Sequence, residues 1–295
     1  MTDTEHASNR FKELDTWSDS KILDALVEGQ ERAIASVRQA IPQIGAAASA
    51  LSSNLMRGGR LFYGGAGTSI RVGVQDGSEL PATFNMAEDK IEYLIAGGRA
   101  ALFDTLAHAE DDAEDGARAA SGLKTGDTLV AIAASGSTPY TVAAAQRAKQ
   151  NGATVIAVVN NPGSALALQS HFEIFLDSGA EVIAGSTRMG AGTAQKAALN
   201  LLSTLAHIKL GAVHDGMMVN VQADNAKLKK RAHAIVTAIS GVGENAVTAA
   251  LAHSKGNVKS AILMCAGASS DEAARKILAD THGNLRLALT QLNLH

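Results

Sequence analysis

The sequence predicts an α/β protein: a parallel sheet covered by helices, with a smaller all-helical domain after it. Three observations carry that expectation. Between Arg60 and about Gly211, five short apolar runs (Leu61 to Tyr63, Ile91 to Ala96, Leu129 to Ala133, Val155 to Val159 and Phe172 to Leu176) alternate with helical stretches, the pattern of strands buried on both faces. Two of these runs lead straight into glycine- and hydroxyl-rich turns that open helices. Beyond Gly216 the strand signal stops, and 232–241, 243–253, 258–263 and 270–280 read as helices.

After a polar start, Ser18 to about Ser53 has helical spacing, with Ser18 or Asp19 as cap. Ile22, Leu23, Leu26 and Val27 form the face expected to pack outside the sheet. The first strand run ends in Gly64-Gly65-Ala66-Gly67-Thr68-Ser69. Its glycines let the backbone approach a ligand, and Thr68 and Ser69 offer hydroxyls at a helix N-terminus, where amides and the helix dipole favour an anion. The second such turn, Ala134-Ser135-Gly136-Ser137-Thr138-Pro139, sets hydroxyls at Ser135, Ser137 and Thr138 around Gly136 and a proline at the first helical position. Two turns of one design at the carboxyl ends of parallel strands point to a phosphorylated small molecule bound at that edge. A dinucleotide is not expected, because Ile70 stands where a third glycine is needed, and no Gly-Lys-Ser/Thr supports a nucleotide P-loop.

A third polar approach to the same edge is Gly185-Ser186-Thr187-Arg188, followed by Thr193-Ala194-Gln195-Lys196 in an alanine-rich helix. Ser186, Arg188 and Lys196 are therefore further phosphate-binding candidates. Among the carboxylates, Asp76 and Glu79 lie on the helix opened by the first turn, and the following Leu80-Pro81 places Glu79 at its end. Glu181 follows the last strand run and is a candidate lining residue. The stretch Glu110-Asp111-Asp112-Ala113-Glu114-Asp115 has no spacing that singles out one member.

Composition narrows the classes. The 295 residues are 46% hydrophobic, enough for a sizeable core in one large domain or two smaller ones. A net charge of -3 without a long basic run argues against a nucleic-acid partner. The N-terminus, Met1-Thr2-Asp3-Thr4-Glu5-His6, lacks the basic and apolar regions of a leader, and no apolar run is long enough for a membrane span, so a soluble, cytoplasmic protein is expected. The single cysteine, Cys265, lies in an apolar stretch and reads as core, and the nine histidines show no metal-ligand spacing. No metal or redox cofactor is expected.

Several segments together are similar to one family. Gly65-Ala66-Gly67-Thr68-Ser69 followed by Asp76-Gly77-Ser78-Glu79-Leu80-Pro81 resembles the signature region of the bacterial N-acetylmuramic acid 6-phosphate etherases. Ile95-Ala96-Gly97-Gly98, Ala109-Glu110-Asp111, Ala133-Ala134-Ser135-Gly136, Thr138-Pro139-Tyr140, Asn161-Pro162-Gly163-Ser164, Arg188-Met189 and Ala191-Gly192-Thr193-Ala194-Gln195-Lys196 match it in order, from about Ser8 to the last helices. The resemblance implies the sugar isomerase (SIS) fold, a three-layer αβα sandwich over 54–216, after an N-terminal helical segment over 1–53. A helical domain of ubiquitin-associated type would follow over 217–295.

It further implies a cofactor-independent lyase that removes D-lactate from the 3-position of N-acetylmuramic acid 6-phosphate in cell-wall recycling, as a homodimer. By the family pattern Glu79 protonates the departing ether oxygen and activates water, and Glu114 is the base at C2. Gly67, Thr68, Ser69, Ser135, Gly136, Ser137 and Thr138 would hold the phosphate, assisted by the third loop. The same fold also serves sugar-phosphate sensors and aldose-ketose isomerases, but the breadth of the match and the presence of both Glu79 and Glu114 favour the lyase. Four positions depart from the family pattern: Ile70 for glycine, Gln75 for an apolar residue, Ser137 for arginine and Asn220 for aspartate.

Overall fold

The five apolar runs form one parallel sheet in this computed structural model, which describes residues 6–104, 106, 108–221 and 226–292. Met1 to Glu5, read above for a leader, lie outside those residues. The strands are β1 (Leu61–Gly65), β2 (Ile91–Ile95), β3 (Thr128–Ala133), β4 (Thr154–Val159) and β5 (Phe172–Phe175), in the order β2-β1-β3-β4-β5. All four pairings are parallel, with Leu61 beside both Ile91 and Thr128, and Thr128 beside Thr154. β1 and β3 are buried along their whole length, which is why they read as unbroken apolar runs.

Alternation sends Phe62, Leu129, Ala131, Val155 and Ala157 to one face, where they pack with Ala144, Ala145 and Ala148 of α5 (Pro139–Gln150) and Leu166 of α6 (Ala165–Gln169). Tyr63, one residue on from Phe62, reaches the other face and bonds to Asp76 of α3 (Gly67–Phe84). The chain leaves β1 toward β2 on one side and returns to β3 on the other. The carboxyl ends of β1 and β3 therefore flank the topological switch point, where doubly wound sheets bind ligands.

The N-terminal helices are α1 (Asp19–Gln39), opened by Ser18, and α2 (Ile41–Met56), with Pro42 in its first turn. α1 does not bury the predicted stripe. Its inward face is Ala25, Gly29, Ala33, Ser36 and Val37, while Leu23 and Val27 are 60% and 56% exposed. Small residues let the helix approach closely: a Cβ at Gly29 would lie 3.0 Å from Val182 Cγ2.

α3 also runs further than expected. It continues through Pro81 to Phe84, so Glu79 is inside the helix rather than at its end. One proline in a last turn forfeits a single backbone bond, and Asn85, in the left-handed region (φ 55°), closes the helix by donating its N–H to Pro81 O at 3.0 Å.

The described residues divide into two units, one of residues up to Ser78 with Asp89–Leu205, the other of Glu79–Glu88 with residues from Ala206 onward. α4 (Ala113–Ala119) belongs to the first, and α7 (Gly190–Lys209) follows β5. The second unit contains α8 (Ala226–Ser240), α9 (Glu244–His253), α10 (Val258–Cys265), α11 (Asp271–Asp280) and α12 (Leu285–Leu292) around Val236, Val247, Ala261, Ile262 and Leu278. It also holds a strand pair that straddles the point where the strand signal stopped: β6 (Val213–His214) and β7 (Met217–Met218). Asp215 (φ 47°) and Gly216 (φ 75°) make the two-residue turn between them, the Asp-Gly pairing that such hairpins favour.

Lys259 of α10 is 6% exposed, and its Nζ donates to Gly283 O at 2.7 Å. Burial lowers its pKa to about 8 from 10.5. The unfolded chain therefore binds the proton that the folded chain releases between about pH 8 and 10.5, so this site contributes stability as pH rises through that window. The full difference is about 3 kcal/mol. Urea unfolding of the parent should show a gain over that range relative to Lys259→Met, and parallel curves for the two would contradict the assignment.

Candidate active site

β1 ends at Gly65 and α3 begins at Gly67, so Thr68 and Ser69 occupy the first turn of α3, where the leading N–H groups have no helical acceptor. The second turn is built the same way. β3 ends at Ala133, Thr138 caps α5 and Pro139 opens it. Gly136 is in the left-handed region (φ 66°), and a Cβ there would lie 2.2 Å from Ser164 Oγ. Its carbonyl accepts from Leu166 N at 2.9 Å, and Asn160 N and Asn161 Nδ2 both donate to Ala134 O, at 3.0 and 2.8 Å. Gly136 is thus a structural pivot, and Ser135, Ser137 and Thr138 are the hydroxyl residues of this turn that line the cleft, beside Ala134 and Pro139.

That cleft has a volume of about 400 Å³ and lies between the two turns. The first turn supplies Gly67, Thr68 and Ser69, and Thr187 of the third loop reaches it as well. Its acidic side chains are Glu110 and Asp111. They sit on a 3-10 turn, Ala109–Asp111, that follows His108 in the left-handed region (φ 69°). His108 Nδ1 lies 3.9 Å from Asp111 Oδ2, whereas the Glu110 carboxylate has no hydrogen-bond or ion-pair partner among the described residues. Asp112 leaves this group by capping α4, accepting from Asp115 N at 2.8 Å. Glu114 is in the first turn of α4, exposed, and not among the residues lining the cleft.

Glu181 is buried, and its two oxygens accept from Gly190 N and Ala191 N, each at 2.9 Å. The carboxylate occupies the N-terminus of α7 and anchors the third loop, and Glu181 is not among the residues lining the cleft. Ser186 is half-buried, Arg188 and Lys196 are exposed, and none of the three lines the cleft. Glu79 is exposed on α3, about three helical turns beyond Thr68, and is not a lining residue either. Sequence reasoning did not single out Thr187 or Glu110. Among the described residues no three His, Cys, Asp or Glu side chains are grouped to hold a metal ion.

Comparison with known proteins decides the family. An N-acetylmuramic acid 6-phosphate etherase of Deinococcus radiodurans is 42% identical over 283 residues, 94% of this chain and 93% of that one. The chain belongs to the N-acetylmuramic acid 6-phosphate etherase family. Etherases of Symbiobacterium thermophilum (44% identity, 88% of this chain and 87% of that one) and Vibrio cholerae (40%, 98% and 97%) agree. A model of the SIS domain matches residues 102–205, and one of the glucokinase regulatory protein N-terminal SIS domain matches residues 24–149. A phosphoheptose isomerase structure from Francisella tularensis has a TM-score of 0.48 at 20% identity, over 65% of this chain and 98% of that one.

Within this etherase family member, three of the four departures lie outside the cleft. Ile70 is 1% exposed and packs beneath Gly65, Gln75 is exposed on α3, and Asn220 donates Nδ2 to Phe84 O at 3.1 Å. Only Ser137 lines the cleft.

Proposed function

We propose that this chain is a carbon-oxygen lyase that cleaves the D-lactyl ether of N-acetylmuramic acid 6-phosphate, giving N-acetylglucosamine 6-phosphate and D-lactate, in cell-wall recycling in the cytoplasm. The observation that carries this reading is the cleft at the switch point, in a chain similar to etherases over most of its length, where two hydroxyl-rich helix-opening turns face a carboxylate with no partner among the described residues. Thr68, Ser69, Ser135, Ser137 and Thr138 hold the phosphate with their hydroxyls and the adjoining helix-opening amides. In the ring-opened sugar the C1 aldehyde acidifies the C2 proton. A carboxylate removes that proton, the lactyl oxygen leaves C3 with a proton from an acid, and water adds back to the double bond.

Glu110 is the base in this scheme, in place of Glu114: it lines the cleft, and its carboxylate has no hydrogen-bond or ion-pair partner among the described residues. The acid role stays with Glu79 on the family pattern alone, since Glu79 does not line this cleft. The protein acts as a homodimer, and the surface that favours this is the apolar stripe of Leu23, Val27 and Ile34 left exposed on α1.

Release of D-lactate from N-acetylmuramic acid 6-phosphate, and none from the unphosphorylated sugar, is the test. A folded protein that binds sugar phosphates without releasing lactate would overturn the lyase reading in favour of a sensor. The cleft lining contains no Lys or Arg, so its phosphate seat rests on neutral donors. Ser137→Arg adds a charged, bidentate-capable donor there and should lower KM about tenfold, read from initial rates.

A further inference from the structure

Asp76 is a buried carboxyl group that the proposed chemistry does not use. It is 4% exposed, with no cation in ion-pair range among the described residues. Its Oδ2 accepts the Tyr63 O–H at 2.6 Å, while Oδ1 accepts from Asn200 Nδ2 at 2.5 Å and from Ser203 Oγ at 3.0 Å. Donors from β1 and from α7 thus converge on one residue of α3. A polar group is costly to bury unless it is hydrogen-bonded, and the three bonds offset that cost only while all three donors are held in place. Burial, and then the Asp76 charge, push the Tyr63 hydroxyl pKa well above 10, so it stays a donor.

Gly73 and Gly77, one turn apart on the same helix, flank Asp76. A Cβ at Gly73 would lie 2.8 Å from Ile132 Cδ1 and 3.3 Å from Tyr63 Cβ; at Gly77 it would lie 2.7 Å from the Tyr93 hydroxyl and 2.8 Å from Tyr63 Cε2. The two glycines set how closely α3 lies on the sheet. Three directional bonds to one carboxyl group add restraint on the rotation of α3 and on its sliding along its axis.

We propose that Asp76 is a positioning residue: it fixes the rotation and axial position of α3, and so holds the amides and hydroxyls of Gly67, Thr68 and Ser69 where the phosphate is bound. The inference rests on the proposed function for the identity of the ligand, but its main readout is binding rather than turnover. Asp76→Asn keeps the side chain's shape and turns one acceptor into a donor that faces donors.

The experiment measures the Kd for N-acetylglucosamine 6-phosphate by calorimetry, and the rate of D-lactate release, at a temperature where circular dichroism shows every variant folded. Leu51→Ala, a cavity in α2, serves as the stability control. Asp76→Asn should weaken binding about tenfold and slow lactate release about a hundredfold. Leu51→Ala should lower the thermal midpoint and keep Kd within about twofold of the parent. A parental Kd in folded Asp76→Asn would overturn the proposal, as would an equal loss of binding in Leu51→Ala. If Asp76→Asn does not fold, Tyr63→Phe and Ser203→Ala each remove one donor, and an unchanged Kd in both overturns it equally. A parent that binds the sugar phosphate but releases no lactate would sink the lyase reading while leaving the Kd comparison decisive for Asp76.

Discussion

Glu110→Gln is expected to cut D-lactate release by about 10²- to 10⁴-fold, the range set by loss of a general base, while Glu114→Gln stays within roughly threefold of the parent. The two residues are four apart in one acidic stretch, and their surroundings separate them. Glu110 lines the cleft with a carboxylate that has no partner among the described residues, and Glu114 is exposed in the first turn of α4. Glutamine keeps the size and polarity of the side chain and removes only its basicity. Steady-state rates on the two variants decide the matter, and an inactive Glu114→Gln beside an active Glu110→Gln would return the base to α4.

Gly116→Ala should be the most damaging conservative change near the site. Gly116 is buried in α4 where that helix crosses the start of α5, and a Cβ there would lie 2.1 Å from Tyr140 O and 2.8 Å from its carbonyl carbon. Both obstacles are backbone, so the two helices must separate. Overpacking of this kind costs about 1–3 kcal/mol, which corresponds to a fall of several degrees in thermal midpoint. α4 directly follows the Glu110 turn, so activity should fall as well. Gly45→Ala in α2, where nothing lies within 4 Å, should instead stabilise by about 0.5–1 kcal/mol. Thermal unfolding of the two variants checks both signs.

Much of the fold was legible because central parallel strands are apolar along their whole length, and β3 and β4 announce themselves that way. The two helix-opening turns were legible as turns, since each sets glycine and hydroxyl residues between an apolar strand run and a helical stretch. α1 was misread because hydropathy favours Leu23 and Val27, whereas close packing selected Ala25, Gly29 and Ala33. The Asp215-Gly216 turn was a visible hairpin signal, but the flanking strands are only two residues each.

Glu110 was hidden by its neighbours. What separates it from Glu114 is a left-handed His108 and the cap made by Asp112, neither of which has a one-letter signature in an acidic run. Glu181 looked like a ligand group because it follows a strand, yet the free amides of α7 claim it. Ile70 looked like a loss from the ligand loop, and its side chain turns inward beneath Gly65 instead.

The most direct test of the two-carboxylate scheme is hydrogen exchange at C2 of N-acetylmuramic acid 6-phosphate in D₂O, followed by NMR in the parent, Glu79→Gln and Glu110→Gln. With Glu110 as base and Glu79 as acid, Glu79→Gln exchanges the C2 proton without releasing lactate, and Glu110→Gln does neither. Exchange that persists at the parental rate in Glu110→Gln would contradict the account.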